Sequence, residues 1–522
     1  MLSRVLATLP ALLIGCSTAD PSRVSGDLKG RLIDQPSIMQ QVAVRFVPRR
    51  TGEAVDYAGS GIRGNARDER RRYGAERTTV PDRAADAYLE RLTARLARAW
   101  PHGRPPVVPR VQLVANRSYG AAALTDGSIR LNLGTLVQAG TEDELAFVIG
   151  HEMGHLFLRH TGLREDEHDD LENLREVTTG LGALGAALSS ARMGSGGQLS
   201  FGAESQNRAS LAALGGTVLS EGLDTLVEPA WARRQEAEAD VFGMDIMAAA
   251  GFDPRYAIVS LNALESSQGA AQARLKAVAE AVEGQLGTQL GRGDINGAWR
   301  AAMKGASTML NSMGRELKGW MRERHPDPAE RRRWLDDYRD RIHGDDPLRP
   351  DSAGELTQIR GSAVIRNARQ ALEEVEASQD ALSRGDPRSA MERARSAMAA
   401  APWLPAARLQ LALAQLEAGQ IRQARDELRR VTADNRAPLI AFLLLAHTEA
   451  KLGDPRAALA VLDTAGRRFD AVDELAPERI ALHRAAGNQA MAQQEAERCS
   501  RSANPRLRSA CRQAIDIRRA SR

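Results

Sequence analysis

A chain of 522 residues has room for roughly two to four domains, and a 43% hydrophobic content is enough for sizeable cores. Aromatics are only 4% while Ala, Leu and Arg are plentiful, a composition that leans helical. The 71 basic and 67 acidic residues leave a formal charge of +4, near balance for this length. Nothing in the charge points to a nucleic-acid partner, and the clusters Arg70 to Arg72 and Arg331 to Arg333, lying beside acids, read as solvated faces.

At the N-terminus Arg4 precedes an apolar run, Val5 to Ile14, too short to span a membrane as a helix. Residues 1–15 therefore read as a signal peptide. The sequence Leu13-Ile14-Gly15-Cys16 resembles a bacterial lipoprotein lipobox. That resemblance implies cleavage before Cys16, a lipid anchor on its thiol and a place in the cell envelope. Ser17 stands where an inner-membrane retention signal has Asp, which favours the outer membrane, facing the periplasm. No later stretch reaches ~18 uninterrupted apolar residues, so no transmembrane helix is expected. With Cys16 lipidated, Cys499 and Cys511 remain to pair in an oxidising compartment, and Asn504-Pro505 reads as the helix-hairpin turn between them.

Residues 16–80, with a strand-like run at Val42 to Val47, read as an N-terminal tether or extension. Pro81-Asp82 opens an amphipathic helix on which Tyr88, Leu89, Leu92, Leu96 and Ala97 recur at helical spacing. Val107 to Val114 and Gly127 to Leu133 are predicted strands. Thr141 to Glu144 then form a T-x-x-E capping box before a helix expected over 142–161 and stopped by Gly162. Residues 163–230 begin acidic and become rich in Gly, Ala and Ser. A second helix is expected from Trp231 to Gly251, and residues 255–322 look helical.

From residue 360 the pattern changes to a repeat. Gly385, Gly419, Gly453 and Gly487 are 34 residues apart, and each is followed five residues later by Ala, at 390, 424, 458 and 492. That is the tetratricopeptide period, and such repeats present a concave face to peptides or protein partners. The predicted fold is α+β and mostly helical: a domain with a small sheet at 81–345, then an all-α solenoid at 360–522.

The chemistry centres on His151-Glu152-Met153-Gly154-His155, an H-E-x-x-H motif. Positions i and i+4 share a helix face, so both imidazoles reach one metal ion, while Glu152 is placed to take a proton from the attacking water and pass it to the leaving amine. A catalytic zinc needs a third protein ligand and an open fourth position. Glu236 and Asp240, i and i+4 on the second helix, are the candidates: one binds the metal and the other orients a ligand His. Glu238 lies on another face, and His160, Glu165 and His168 sit at the helix end or in the acidic loop, which argues against them as ligands.

These blocks, in order, resemble the BepA-like and HtpX-like zinc metallopeptidases, relatives of the CAAX prenyl protease. The resemblance rests on Asp143 to His155, on Arg233-Arg234-Gln235-Glu236-Ala237-Glu238-Ala239-Asp240 as R-x-x-E-x-E-A-D, on Asp253-Pro254-Arg255, and on His325-Pro326 to Arg331 as H-P-x-x-x-x-R. It implies a gluzincin-type endopeptidase holding one zinc ion per chain. His151, His155 and Glu236 are then the ligands, Glu152 the general base, and Asp240 the residue that orients a ligand His. The strand Gly127 to Leu133 is implied as the substrate-holding edge, with His325 and Arg331 at the lip of the cleft. Arg331 would hold substrate or stabilise the oxyanion. His325 would plug the open metal position at rest, or else cap a helix or bind substrate. Implied substrates are envelope proteins, with outer-membrane assembly machinery as the repeats' partner. The rival reading is a repeat-based periplasmic chaperone or assembly scaffold with latent proteolysis.

Overall fold

The computed structural model describes residues 78–160, 233–267, 328–347 and 354–502, apart from residues 106, 125 and 159, with short pieces at 192–193, 199–200 and within 507–514. The signal peptide, Cys16, nearly all of the 16–80 tether, Glu165, His168, His325 and the Asn504-Pro505 turn lie outside the described residues. Among the described residues no helix is long and apolar enough to cross a membrane.

Helix α1, Arg83–Arg98, begins where Asp82 accepts hydrogen bonds from the backbone N–H groups of Ala84 and Ala85, at 2.9 and 3.1 Å. Its buried stripe of Tyr88, Leu89, Leu92, Leu96 and Ala97 is the one its spacing predicts. Three short strands follow: β1 Val111–Val114, β2 Ala121–Ala123 and β3 Ile129–Asn132. They form one sheet in the order β1-β3-β2, with β1 parallel and β2 antiparallel to β3. The expectation for residues 127–133 is corrected here. β3 is the central strand, hydrogen-bonded on both sides, with β1 and β2 as the outer strands, of which β2 is the one beside Glu152. The sequence hid β2 because Ala-Ala-Ala has weak strand propensity and its pairing is decided by tertiary contact.

After the short helix α2, Leu133–Gln138, comes α3, Glu142–Phe157. Thr141 caps it by accepting from the Glu144 N–H at 3.3 Å, and the Glu144 carboxylate reaches back to the N–H of Gly140 at 2.8 Å. The helix stops four residues earlier than its apolar pattern suggested, and His160 turns back toward its end. A two-residue pair, Arg192–Met193 (β4) with Leu199–Ser200 (β5), makes a separate ribbon. Helix α4, Arg233–Ala249, then packs along α3. Residues 256–267 are helical, as expected for the start of the 255–322 stretch.

Close approach of α3 and α4 is specified by glycine. A Cβ at Gly243 would lie 2.8 Å from the backbone N of His151, and one at Gly154 would lie 3.0 Å from the Cα of Ala239. Only the absence of side chains at these crossings lets the two backbones come this near. Helix α5, Pro328–Ile342, lies against α4. There Tyr338 donates to both oxygens of the buried Asp245 at 2.9 Å, and His343 Nε2 lies 3.0 Å from Asp245 Oδ1 while its Nδ1 lies 3.1 Å from Asp346.

Helix α6, Gly354–Arg360, leads into the solenoid of α7 Ala363–Ser383, α8 Pro387–Ala400, α9 Pro405–Glu417, α10 Ile421–Thr432, α11 Leu439–Lys451, α12 Pro455–Phe469, α13 Ala476–Ala485 and α14 Gln489–Cys499. The four glycines at the 34-residue period all have positive φ, between 73° and 89°, and turn each first helix into its second. The repeat alanines at 390, 424, 458 and 492 are buried where the paired helices cross. One core cluster runs from Val80 through the sheet, α3 and α4 into Leu356, Ile365, Leu372, Val375, Ala401 and Leu404, so the first repeat packs on the sheet-containing domain without an intervening linker. Ser362 bonds Asp82 at 2.6 Å, Arg360 donates to the Leu136 carbonyl at 3.0 Å, and Arg117 pairs with Glu376. At the far end Cys499 and Cys511 form a disulfide, with Cα atoms 6.2 Å apart.

Two outcomes follow from this architecture. Protein taken without reductant is expected to show no alkylatable thiol at Cys499 or Cys511 by mass spectrometry. Replacing both with Ser opens a 12-residue loop and lowers the stability of the terminal repeat by about 3 kcal/mol on chain-entropy reasoning. The second concerns His343. Burial pulls its pKa down, but the hydrogen bonds and charges of Asp245 and Asp346 outweigh that and raise it above its ordinary value. A raised folded-state pKa contributes stability that is complete below the unfolded value of about 6.5 and is lost as pH rises through the folded one. The melting temperature of the wild type should therefore fall more steeply above neutral pH than that of His343→Gln, as thermal unfolding across a pH series would show.

Candidate metal centre

The crossing of α3 and α4 brings His151, His155 and Glu236 to one point, the ligand group the motif predicted. His151 Nε2 and His155 Nε2 lie 3.1 Å apart, and the two Glu236 oxygens lie 3.7 Å from one and the other. Tetrahedral zinc with bonds of about 2.0–2.2 Å has ligand-to-ligand edges of about 3.3–3.6 Å, and one donor atom from each of the three residues lies within 4.8 Å of the others, near enough for one ion to gather them. All three side chains are buried. The charge balance also fits a divalent cation. Glu152, Glu236 and Asp240 carry three negative charges when ionised, and Arg331 supplies one positive charge among them. Buried charge of this kind needs a partner, and two negative charges remain to be met.

Glu152 projects from the same helix face toward the sheet, where its Oε2 accepts a 2.6 Å hydrogen bond from the N–H of Ala123 on the edge strand β2. Burial pushes the Glu152 carboxyl up to about 7, and the charge of Glu236 adds to this against the nearby His151 and Arg331. A divalent cation held between the ligands would lower it again.

Behind the ligands stands a set of supporting contacts. Asp240 Oδ1 lies 3.0 Å from His151 Nδ1, the ring nitrogen other than the one that faces His155 and Glu236. Arg331 grips Asp240 with two hydrogen bonds, Nε to Oδ2 at 2.8 Å and Nη2 to Oδ1 at 2.6 Å, and its Nη1 lies 3.0 Å from Glu236 Oε2. Burial raises the Asp240 pKa, but the guanidinium and His151 outweigh it and hold the carboxyl down at about 2.

Arg331 therefore departs from its expected positions in two ways. It is 5% exposed and not part of a solvated face, and its donors are committed to Glu236 and Asp240 and not to an open cleft lip. The cause is helical spacing: Arg331 shares the buried side of α5 with Leu335 and Tyr338, while Arg333 points to solvent.

Sequence reasoning passed over His160 and Glu238 as ligands, and neither joins the triangle. They lie behind it: His160 Nδ1 is 2.9 Å from His155 Nδ1, and His160 Nε2 is 3.2 Å from Glu238 Oε2. On a continued helix, positions i and i+5 point ~140° apart. The early end of α3 is what brings His160 back to His155. The available signal was a His five residues past the second ligand and a Glu two past the third.

Removing one partner of a buried ion pair costs about 3–5 kcal/mol, because the other charge is left uncompensated. Arg331→Ala should lose about that much stability and most of its zinc, since Glu236 and Asp240 would repel without the guanidinium between them. Arg331→Lys, with one charge but no fork, should fall between. Calorimetric unfolding and metal analysis of purified protein read both.

The comparisons with known proteins agree with this geometry. Residues 83–338 match the model described as Peptidase family M48, and residues 381–441 match a tetratricopeptide repeat model. The chain is also 30% identical over 171 residues to the metalloprotease LoiP of Escherichia coli (strain K12). That match covers 33% of this chain and spans 57% of the length of the relative. The residues present suit the zinc this family uses, with His151, His155 and Glu236 as the group that would hold it. Residues 83–338 thus carry the match to peptidase family M48, ahead of the segment that matches tetratricopeptide repeats.

Proposed function

We propose that the chain is a zinc-dependent endopeptidase of the bacterial cell envelope, tethered to the outer membrane through a lipid on Cys16 and facing the periplasm. It acts on envelope proteins in outer-membrane protein quality control or assembly. The observation that carries the enzymatic part is the juxtaposition of the ligand triangle with Glu152 and the edge strand β2. The lipobox-like Leu13 to Cys16 supports the location.

Bound zinc would supply a Lewis acid for the scissile carbonyl and acidify the attacking water. Protein groups do the rest. In the β2–β3 ladder the Leu124 N–H bonds Ser128 and the Gly120 carbonyl accepts from Asn132, so by antiparallel alternation Ala121 and Ala123 turn their backbone groups away from β3. An extended peptide can pair there as an added strand, which fixes its scissile bond without reading its sequence. Glu152 already bonds that edge at Ala123, so the proton acceptor and the peptide-holding strand stay in register. Glu152 takes the proton from water at Oε and returns it to the leaving nitrogen. Asp240 and Arg331 hold His151 and Glu236 in place throughout. The solenoid would choose or deliver substrate proteins on its concave face.

Glu152→Gln tests the reading. It should keep about one zinc per chain and lose cleavage of an unstructured peptide by at least ~100-fold, consistent with loss of a general base. In cells it should fail to complement and should trap envelope proteins. A Glu152→Gln chain that restored full biological activity would favour the chaperone or scaffold reading instead.

A further inference from the structure

The two ligand histidines are supported differently. His151 faces a carboxylate directly, at 3.0 Å from Asp240. His155 meets His160 at its outer nitrogen. That second arrangement permits one order of protons. His155 turns Nε2 toward His151 and Glu236, so Nε2 is the nitrogen that would bind metal and must carry a lone pair. A neutral imidazole then carries its proton on Nδ1. This N–H points at His160 Nδ1, 2.9 Å away, which must accept and so has no proton. His160 in turn carries its proton on Nε2, 3.2 Å from Glu238 Oε2, an acceptor. Each ring nitrogen along the line has one role. With both rings neutral, the other assignments set two protons or two lone pairs against each other, or protonate the metal-binding nitrogen.

We infer that His160 and Glu238 form a relay that fixes His155 in its metal-binding tautomer. His160 is a positioning residue of the metal site, and Glu238 acts only through it. The three side chains are 0%, 3% and 8% exposed, so little water competes for these bonds and the carboxylate's charge is felt along the line. The relay also gives a role to the end of α3 at Phe157 and to the burial of Glu238 on a different face of α4 from Glu236 and Asp240. The inference rests on the zinc assignment, and its test separates the two.

The experiment uses the full chain loaded with zinc and follows zinc release to a chromophoric chelator. Outer-shell partners of this kind are worth about 10–100-fold in metal affinity, so His160→Ala should release zinc faster by that factor. His160→Gln should recover much of the loss, because its amide oxygen can accept the His155 Nδ1–H. Glu238→Gln should fall between wild type and His160→Ala. The double variant His160→Ala with Glu238→Gln should release no faster than His160→Ala alone, since the second residue acts through the first. Melting temperatures of the metal-stripped proteins should stay close to wild type, which a merely structural clasp would not allow. Unchanged release from zinc-loaded His160→Ala overturns the relay alone. So does additivity in the double variant, a Gln no better than Ala, or a collapse of the metal-stripped melting temperature in both His160 variants. A wild type that holds no zinc overturns the metal assignment and the relay together.

Discussion

Everything at the site depends on how closely α3 and α4 can cross. The ligands come from two helices about 80 residues apart in sequence, and contacts of 3.1–3.7 Å among them tolerate little displacement of either helix. Gly154 and Gly243 set that distance, since any Cβ there would enter the backbone of the other helix. The same closeness creates an electrostatic problem. Helix α4 brings Glu236, Glu238 and Asp240 into a buried region that already holds Glu152. Like charges this near and this dry could not all ionise without compensation. Arg331 from α5 answers part of it, and a bound divalent cation would answer the rest, so the supporting residues are a consequence of the crossing.

This ordering separates what was legible in the sequence from what was not. The ligands and Glu152 were legible because they are local: His151 and His155 share a face by helix geometry, and Glu236 and Asp240 do so again. The repeat was legible because its period is carried by glycines that need positive φ, which few other residues tolerate. The Cys499 to Cys511 bond was legible by elimination among three cysteines. Where the outcome depended on contacts between elements, the reading failed. Strand β2 is three alanines whose pairing is decided by β3, and no periodicity announces it. Arg331 looked like one member of a basic run because a run of three arginines hides which of them faces inward. His160 was invisible as a contact of His155 because the helix had been extended through it.

The edge strand shows a related limit. The family resemblance implies residues 127–133 as an edge, the longer and more hydrophobic strand, and the sheet places that strand at its centre. Hydrophobic strands gravitate to the centre of a sheet, where both neighbours bury them, and Ile129 and Leu131 are fully buried in that position. An edge that must accept another chain has the opposite requirement. It would need a free flank and small side chains; β2 lies at an edge of the sheet with three alanines, and the outward N–H of Ala123 is held by Glu152.

A stack of helical repeats leaves an apolar face uncovered at each end, and the two ends must be closed by something other than another repeat. Here the two closures differ in kind. At the first repeat the closure is the peptidase domain itself: Ala397, Ala401, Leu404 and Ala407 belong to the same core cluster as Leu89, Ile129 and Phe242. Polar contacts fix the register, with Ser362 on the Asp82 cap of α1 and Glu376 on Arg117. At the last repeat the closure is covalent, a small cluster of Ala476, Ile480, Ala492 and Leu507 around the disulfide. The first arrangement has a consequence for the site. Arg117 lies in the loop that enters β2, and its carbonyl lies where Gly134 could carry no side chain. The solenoid's first helix therefore bears on the loop that leads into the edge strand on which Glu152 rests. Repeats and catalytic residues are joined through one packed core, and the position of that edge is a property of both.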